Sequence, residues 1–132
     1  MLRMILGIVA GFVAWFVLAS IGNVAFRVSW PAYAQVEPSM TFTLTMLVSR
    51  LLLGVLSSLC GGFVAAWLAR ANVNAATILG VVLTVIFIPI HYGLWNEFPI
   101  WYHLLFLASL LPLTLLGAFL FVRINRARLR QA

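Results

Sequence analysis

Charged residues, and acidic ones above all, are scarce in this sequence. Its 132 residues include two acids, Glu37 and Glu97, eight arginines and no lysine. Only 8% of the residues are charged and 65% are hydrophobic, whereas soluble domains contain about 25% charged and about 45–50% apolar residues. A water-soluble fold could not bury so much apolar surface. The composition therefore excludes a soluble domain and predicts an integral membrane protein.

Side chains that carry chemistry are scarce as well. The single cysteine, Cys60, lies in an apolar run, where it cannot form an intrachain disulfide and is expected to be an unreactive packing residue. No nucleotide-binding, hydrolase or zinc-protease signature occurs. No carboxylate lies within an apolar run, which argues against a proton-coupled pump. We therefore predict no catalytic residue, no metal and no cofactor.

Long apolar runs are what the sequence does contain. Runs of about 18 residues or more are typical of membrane-spanning helices, whereas barrel strands alternate apolar and polar residues. We predict an all-α membrane protein, with residues 1–132 forming one domain that is a bundle of four transmembrane helices. The predicted helices cover residues 4–26, 41–69, 75–95 and 100–122, with a loop at 27–40 and a tail at 123–132.

The arginines predict the direction of these helices. Six lie on the side of the two termini, and Arg27 and Arg50 lie on the other. Because basic residues are enriched on the cytoplasmic side, both termini are predicted to be cytoplasmic and the 27–40 loop to face outward. The net charge of +6 then reflects topology and predicts no nucleic-acid partner. The six are Arg3, Arg70, Arg123, Arg126, Arg128 and Arg130.

The polar side chains of the four helices are predicted to lie in one layer at the outer end. About 20 residues of a helix cross the hydrocarbon core. In each of the four helices, about 20 residues counted from the cytoplasmic edge lead to the position of its main polar side chain. Arg50 is interpreted either as a topology residue or as the centre of a polar cluster with Glu97 or Glu37 as its partner. The candidate cluster consists of Asn23, Arg50, His91, Glu97 and His103.

Two other interpretations of this layer follow from its residue types. A small metal site formed by His91, His103 and Glu97 is less favoured, because no close ligand spacing such as HxxxH is present. The aromatic residues nearby are typical of a belt at the membrane–water interface. They are Tyr92, Trp95, Trp101 and Tyr102, whereas Trp30 and Tyr33 of the 27–40 loop are expected to lie in the headgroup region.

Small residues predict how the first two transmembrane helices pack. Gly7 and Gly11 form a GxxxG patch in the first helix. In the second helix a row of small residues follows Arg50 at intervals of four and therefore lies on one face. We expect these two faces to cross closely, with a dimer contact as the alternative. The row consists of Gly54, Ser58, Gly62 and Ala66.

Three stretches together resemble a group of small, four-span bacterial inner-membrane proteins: WPAYAQVEPSMTFTLTMLVSRLLLG, FIPIHYGLW and FPIWYHLLFLASLLPLTLLG. The resemblance covers most of the chain and implies a multi-pass protein of the bacterial inner (cytoplasmic) membrane. It implies no activity, cofactor or site residue.

The sequence favours a non-enzymatic integral membrane protein with little soluble mass. Such a protein would be an accessory or structural subunit of a membrane complex, or a homo-oligomer. Its partners would be the lipid bilayer and other membrane subunits or copies of itself. The alternative is a protein that binds or conducts a lipid, a quinone or a small solute at the outer polar layer. A membrane enzyme working at that layer is a third, less favoured hypothesis.

Overall fold

The computed structural model describes residues 1–131, and helices make up nearly all of this part of the chain. Four of its helices are long and apolar enough to cross a membrane, so the prediction of an all-α, four-span, multi-pass membrane protein is confirmed. In chain order the elements are α1 (Leu2–Ser29), α2 (Pro31–Val36), a 3₁₀ turn (Glu37–Ser39), α3 (Leu44–Leu68), α4 (Val73–Gly93) and α5 (Ile100–Gln131).

The predicted tail, residues 123–132, is helical as far as it is described, because α5 continues to Gln131. Its last residue, Ala132, lies outside the described residues. α3 and α4 each start after a capping side chain. The Thr43 side chain accepts a hydrogen bond from the Met46 amide at the start of α3, and Asn72 accepts one from the Asn74 amide at the start of α4. Such caps satisfy amides that have no partner within the helix.

The connection between α1 and α3, predicted as a loop at 27–40, is largely helical. Trp30 separates α1 from α2 with an extended backbone, φ −129° and ψ 86°, as expected for a residue before proline. Pro31 then occupies the first turn of α2, where its missing amide is not needed. The connection turns back towards the bundle and buries Tyr33 completely.

α3 lies at the centre of the bundle, between α1 and α5. Trp15 of α1 donates a hydrogen bond from Nε1 to Ser58 Oγ of α3, a distance of 3.0 Å. Near one end of the bundle Gly7 faces Ala65 and Ala69, so α1 and α3 are antiparallel. α5 runs parallel to α3, because Gly54 faces Phe106 and Gly62 faces Thr114. The start of α1 and the end of α5 therefore lie at one end of the bundle, here called the terminal end. The opposite end is called the Arg50 end.

The small-residue row of α3 packs differently from the prediction. Gly54 faces Phe106, and Gly62 lies directly against the Thr114 backbone, so the row that follows Arg50 packs mainly on α5 rather than on α1. Ala66 clusters with Ala118 of α5 and with Ala76 of α4. Ser58 alone of that row bonds to α1.

The α1 contact uses the neighbouring row of α3. A Cβ added to Gly11 would lie 2.6 Å from the Gly61 carbonyl oxygen, and one added to Gly7 would lie 2.5 Å from that of Ala65. The GxxxG patch of α1 therefore does approach α3 closely, as the spacing predicts. The prediction assigned the wrong face of α3 to this contact. α3 has small residues on two adjacent faces, and each face contacts a different helix.

The outward surface of the bundle is apolar on all four long helices. Large side chains such as Val9, Leu52, Val85 and Leu105 are each at least 50% exposed. Scattered apolar residues are normal on soluble proteins, but an apolar surface on every side of a bundle is suited to lipid.

Candidate functional site

Arg50 is the central polar residue of the Arg50 end. It lies six residues into α3, about 9 Å along the helix from its start. Its Nη1 donates a hydrogen bond to the Tyr33 hydroxyl at 2.5 Å, and its Nε donates a longer one to the Tyr102 hydroxyl at 3.3 Å. The guanidinium carbon also lies 4.9 Å from the centre of the Phe42 ring. Arg50 is thus held by neutral aromatic residues.

Arg50 pairs with neither Glu37 nor Glu97, the two partners considered for it in the interpretation as the centre of a polar cluster. Glu37 forms an ion pair with Arg27, with both carboxylate oxygens accepting hydrogen bonds, at 2.6 and 2.8 Å. No other ion pair occurs within residues 1–131. Glu97 is exposed in the turn between α4 and α5. The short helix α2 explains the outcome, because it places Glu37 beside the end of α1 and turns Tyr33 towards Arg50.

The Arg27–Glu37 ion pair provides a pH prediction. Its hydrogen bond lowers the pKa of the Glu37 carboxyl below the ordinary value. Any stability that it contributes is therefore present near neutral pH and is lost as the pH falls below about 4. Because the Arg27 side chain is 54% exposed, we expect Glu37→Gln to lower the melting temperature only slightly at pH 7. Thermal unfolding at pH 7 and pH 3 checks this, and a deficit that is larger at pH 3 than at pH 7 would contradict it.

A cavity of about 260 Å³ lies next to Arg50, between α1, α3, α4 and α5. Its wall nearest the middle of the bundle is aromatic, with Trp15 and Phe16 of α1 against Phe87 of α4 at centroid distances of 5.1 and 6.2 Å. Beyond this wall α1 presents small residues, which leaves room for the cavity. The lining residues are Trp15, Phe16, Ala19, Ser20, Asn23, Arg50, Leu53, Gly54, Phe87, Tyr102 and Phe106.

Asn23 shares the cavity with Arg50. Its side-chain amide nitrogen donates to the Ala19 carbonyl in its own helix, at 3.0 Å. The side-chain oxygen of Asn23 can only accept hydrogen bonds, whereas Arg50 can only donate them. The polar side chains that line the cavity are therefore those of Arg50, Asn23, Ser20 and Tyr102, and the rest of its wall is aromatic and aliphatic.

His91 and His103 form a directly bonded pair, here called the histidine dyad. Their Nδ1 atoms are 2.7 Å apart, and both rings are buried, with 6% and 0% of their surface exposed. One Nδ1 must donate a proton to the lone pair of the other. A metal site shared with Glu97, the less favoured prediction, does not fit this geometry, and residues 1–131 contain no cluster of three or more His, Cys, Asp or Glu that could hold a metal ion.

The surroundings of the dyad favour one arrangement of its protons. The Nε2 atom of His103 is buried and has no hydrogen-bond partner among the described residues. A buried N–H without an acceptor is costly, so His103 is best assigned a proton on Nδ1, which it donates to His91. Trp95 stacks on the His103 ring with a centroid distance of 5.0 Å. The dyad therefore joins α4 to α5 inside an aromatic shell.

The five residues predicted to form one polar layer are thus separated into three groups. Asn23 and Arg50 share the cavity, the histidines form their own pair, and Glu97 stands apart. The two tyrosines that bind Arg50 were not predicted from the sequence. Tyr33 was expected in the headgroup region and Tyr102 in an aromatic belt, but both are buried. Pro31 was the available signal, because a proline can begin a helix as well as interrupt one.

No protein-family model, no curated protein and no solved structure matches this chain. The resemblance to four-span bacterial proteins therefore stays a prediction.

Proposed function

We propose that the protein binds a membrane-soluble amphiphile with an anionic head group, either a carboxylate or a phosphate, in the cavity beside Arg50. The observation that carries this proposal is the environment of Arg50. It is a cation on a membrane-spanning helix, it lines an otherwise mainly apolar cavity, and among residues 1–131 it has no carboxylate partner.

The donor geometry of Arg50 supports an anionic head group. A guanidinium has five N–H donors in one plane. Two of these are used by the hydroxyls of Tyr33 and Tyr102, which leaves three for a ligand. Two parallel N–H donors match the two oxygens of a carboxylate or of a phosphate, and such charge-assisted bonds are roughly twice as strong as neutral ones.

The energetics point in the same direction. A cation removed from water is unfavourable unless it is paired, although the rings of Phe42 and Phe98 offset part of this penalty. An anionic ligand would supply the missing charge. A quinone carbonyl could accept a hydrogen bond but would leave the positive charge of Arg50 uncompensated, so it is the less favoured ligand.

The rest of the cavity suits a single apolar chain. Its volume lies just below the usual range for small-molecule sites, about 300–1,000 Å³, which favours one acyl chain over two. Phe16 and Ser20 line the cavity and are also exposed on the outer surface of α1. A chain could therefore enter sideways from the bilayer.

The membrane location is also part of this proposal. We infer from the arginine bias that the Arg50 end faces away from the cytoplasm, and from the sequence resemblance that the membrane is a bacterial inner membrane. The accessory-subunit or homo-oligomer interpretation competes with ligand binding, but no contact in the described chain favours it specifically.

The test compares amphiphiles that differ only in the head group. Purified protein in a non-ionic detergent is heated with oleate, oleoyl-lysophosphatidylglycerol, oleyl alcohol or decylubiquinone. We expect oleate or the lysolipid to raise the melting temperature by several degrees, because a ligand at about 100 times its Kd stabilises by about 2.7 kcal/mol. Oleyl alcohol, which has the same chain without the charge, should have little effect.

Three variants serve as controls. Arg50→Met should abolish the stabilisation, and Arg27→Met, which removes an arginine outside the cavity, should retain it. Ala19→Phe keeps the charge but fills the cavity, so it should also abolish the effect. Equal protection by oleyl alcohol or by decylubiquinone would refute the anionic head group. No protection by any amphiphile, together with a second protein chain that co-purifies, would support the accessory-subunit interpretation instead.

A further inference from the structure

The last turns of α5 extend beyond the rest of the bundle at the terminal end. α5 has 32 residues, so it is about 48 Å long, whereas the hydrocarbon core of a bilayer is about 30 Å thick. Its last buried residues are Gly117 and Ala118. From Arg123 onward the described side chains are exposed, apart from Asn125. This extension therefore lies at or beyond the membrane surface.

One face of the extension is basic. Arg123, Arg126 and Arg130 are separated by three and four residues, so they share one side of the helix. We call these three residues the basic stripe. Phe119 and Val122 precede the stripe on the same face, and together with it they form an open strip of surface on α5 alone, here called the groove. The groove is thus apolar within the bilayer and positively charged beyond the bilayer surface.

The chain has no acidic residue with which to neutralise this stripe. Its two acids are Glu37, which pairs with Arg27, and Glu97, which lies in the α4–α5 turn. Both belong to the Arg50 end of the bundle. The charge of the basic stripe therefore complements an anion that comes from outside the chain.

We propose that the basic stripe binds the phosphate of an anionic phospholipid whose acyl chain lies along Phe119 and Val122. Planar guanidinium groups match phosphate oxygens, and arginines clustered next to a membrane span attract anionic lipid. The apolar part of the groove continues into the exposed surface formed by Leu116 and Leu120. A nucleic acid or an acidic peptide would make no use of that apolar part, so a lipid fits the whole groove better.

The test measures lipid binding to the full chain by native mass spectrometry in a non-ionic detergent. The probes are palmitoyl-oleoyl phosphatidylglycerol and the matching phosphatidylcholine. We expect the phosphatidylglycerol to bind more tightly. In the variant Arg123→Gln/Arg126→Gln/Arg130→Gln its Kd should rise about a hundredfold, because three arginines that each contribute a factor of about five together contribute a factor of about 125.

The matched control removes three arginines at the same end but away from the stripe: Arg3→Gln/Arg70→Gln/Arg128→Gln. Arg128 lies on the opposite side of α5, next to Trp67. This control should change the Kd less than about threefold. An equal loss in both triple variants, or equally tight binding of phosphatidylcholine to the unmodified protein, would overturn the proposal. Arg50→Met should leave this binding unchanged, so the result does not depend on the proposed function of the cavity.

Discussion

Gly62→Ala is expected to destabilise the bundle by about 3 kcal/mol or more, although alanine is the better helix former. A Cβ on Gly62 would overlap the backbone of Thr114, and backbone atoms cannot move without displacing α5. Overpacking of this kind forces helices apart. Thermal or denaturant unfolding in detergent measures the loss, which we expect to appear as a large fall in melting temperature or as a failure to accumulate folded protein.

Gly93→Ala is the matched control, because it makes the same change at the end of α4. A Cβ there meets nothing within 4 Å, and no glycine in the described chain has a positive φ. We therefore expect a neutral or slightly stabilising effect, up to about 1 kcal/mol. If Gly62→Ala were tolerated as well as Gly93→Ala, the close contact between α3 and α5 would be wrong.

The second large loss of stability is expected when one histidine of the dyad is replaced. In His91→Phe the fully buried His103 loses its only hydrogen-bond partner, and a buried donor without an acceptor costs about 1–3 kcal/mol. His103→Leu removes the donor instead and leaves the buried acceptor His91 Nδ1 without a partner. We expect each single variant to lower stability by about 2 kcal/mol, measured by unfolding at neutral pH.

The double variant separates this hydrogen bond from simple packing. His91→Phe/His103→Leu leaves neither ring unpaired, so its loss should be smaller than the sum of the two single losses by at least about 1 kcal/mol. Additive losses would show that the two rings contribute independently, which would contradict the direct Nδ1–Nδ1 bond.

The four spans could be predicted from the sequence because hydropathy alone decides them. Each long helix contains an apolar window with few charges. In lipid the backbone must form helices or a closed barrel, and these windows lack the alternation of barrel strands. The exact ends of the helices depend on local interactions that a hydropathy average does not include. Trp30 ends α1 because a proline follows it, and α5 continues past the apolar run because arginine is a good helix former.

The partners of Arg50 could not be predicted, because they depend on where α2 turns back. The sequence offered two carboxylates, and opposite charges are the natural first expectation. Arg27 lies close enough to Glu37 to take that carboxylate in a bidentate pair, and α2 brings Tyr33 to Arg50 instead. A tyrosine hydroxyl is neutral, so the sequence gives no reason to pair it with an arginine. The two hydrogen bonds to Arg50 become apparent only in the folded structure.

The helix-packing faces were predicted in kind but not in detail. Small residues do mark the close contacts, as Gly7, Gly11 and Gly62 all show. Two adjacent rows of small residues on α3 serve two different neighbours, and the spacing of one row cannot reveal which neighbour it meets. Similarly, the common depth of His91 and His103 was predicted, but their direct bond depends on the rotation of α4 against α5.

Photo-crosslinking with a diazirine-labelled fatty acid tests the central proposal most directly. We predict that the label attaches to the cavity segment of α1, residues 16–23, that unlabelled oleate competes with it, and that Arg50→Met removes it while Arg27→Met does not. Labelling spread over the lipid-facing surface, equally strong in both variants and unaffected by oleate, would contradict a cavity in which Arg50 holds an anionic head group.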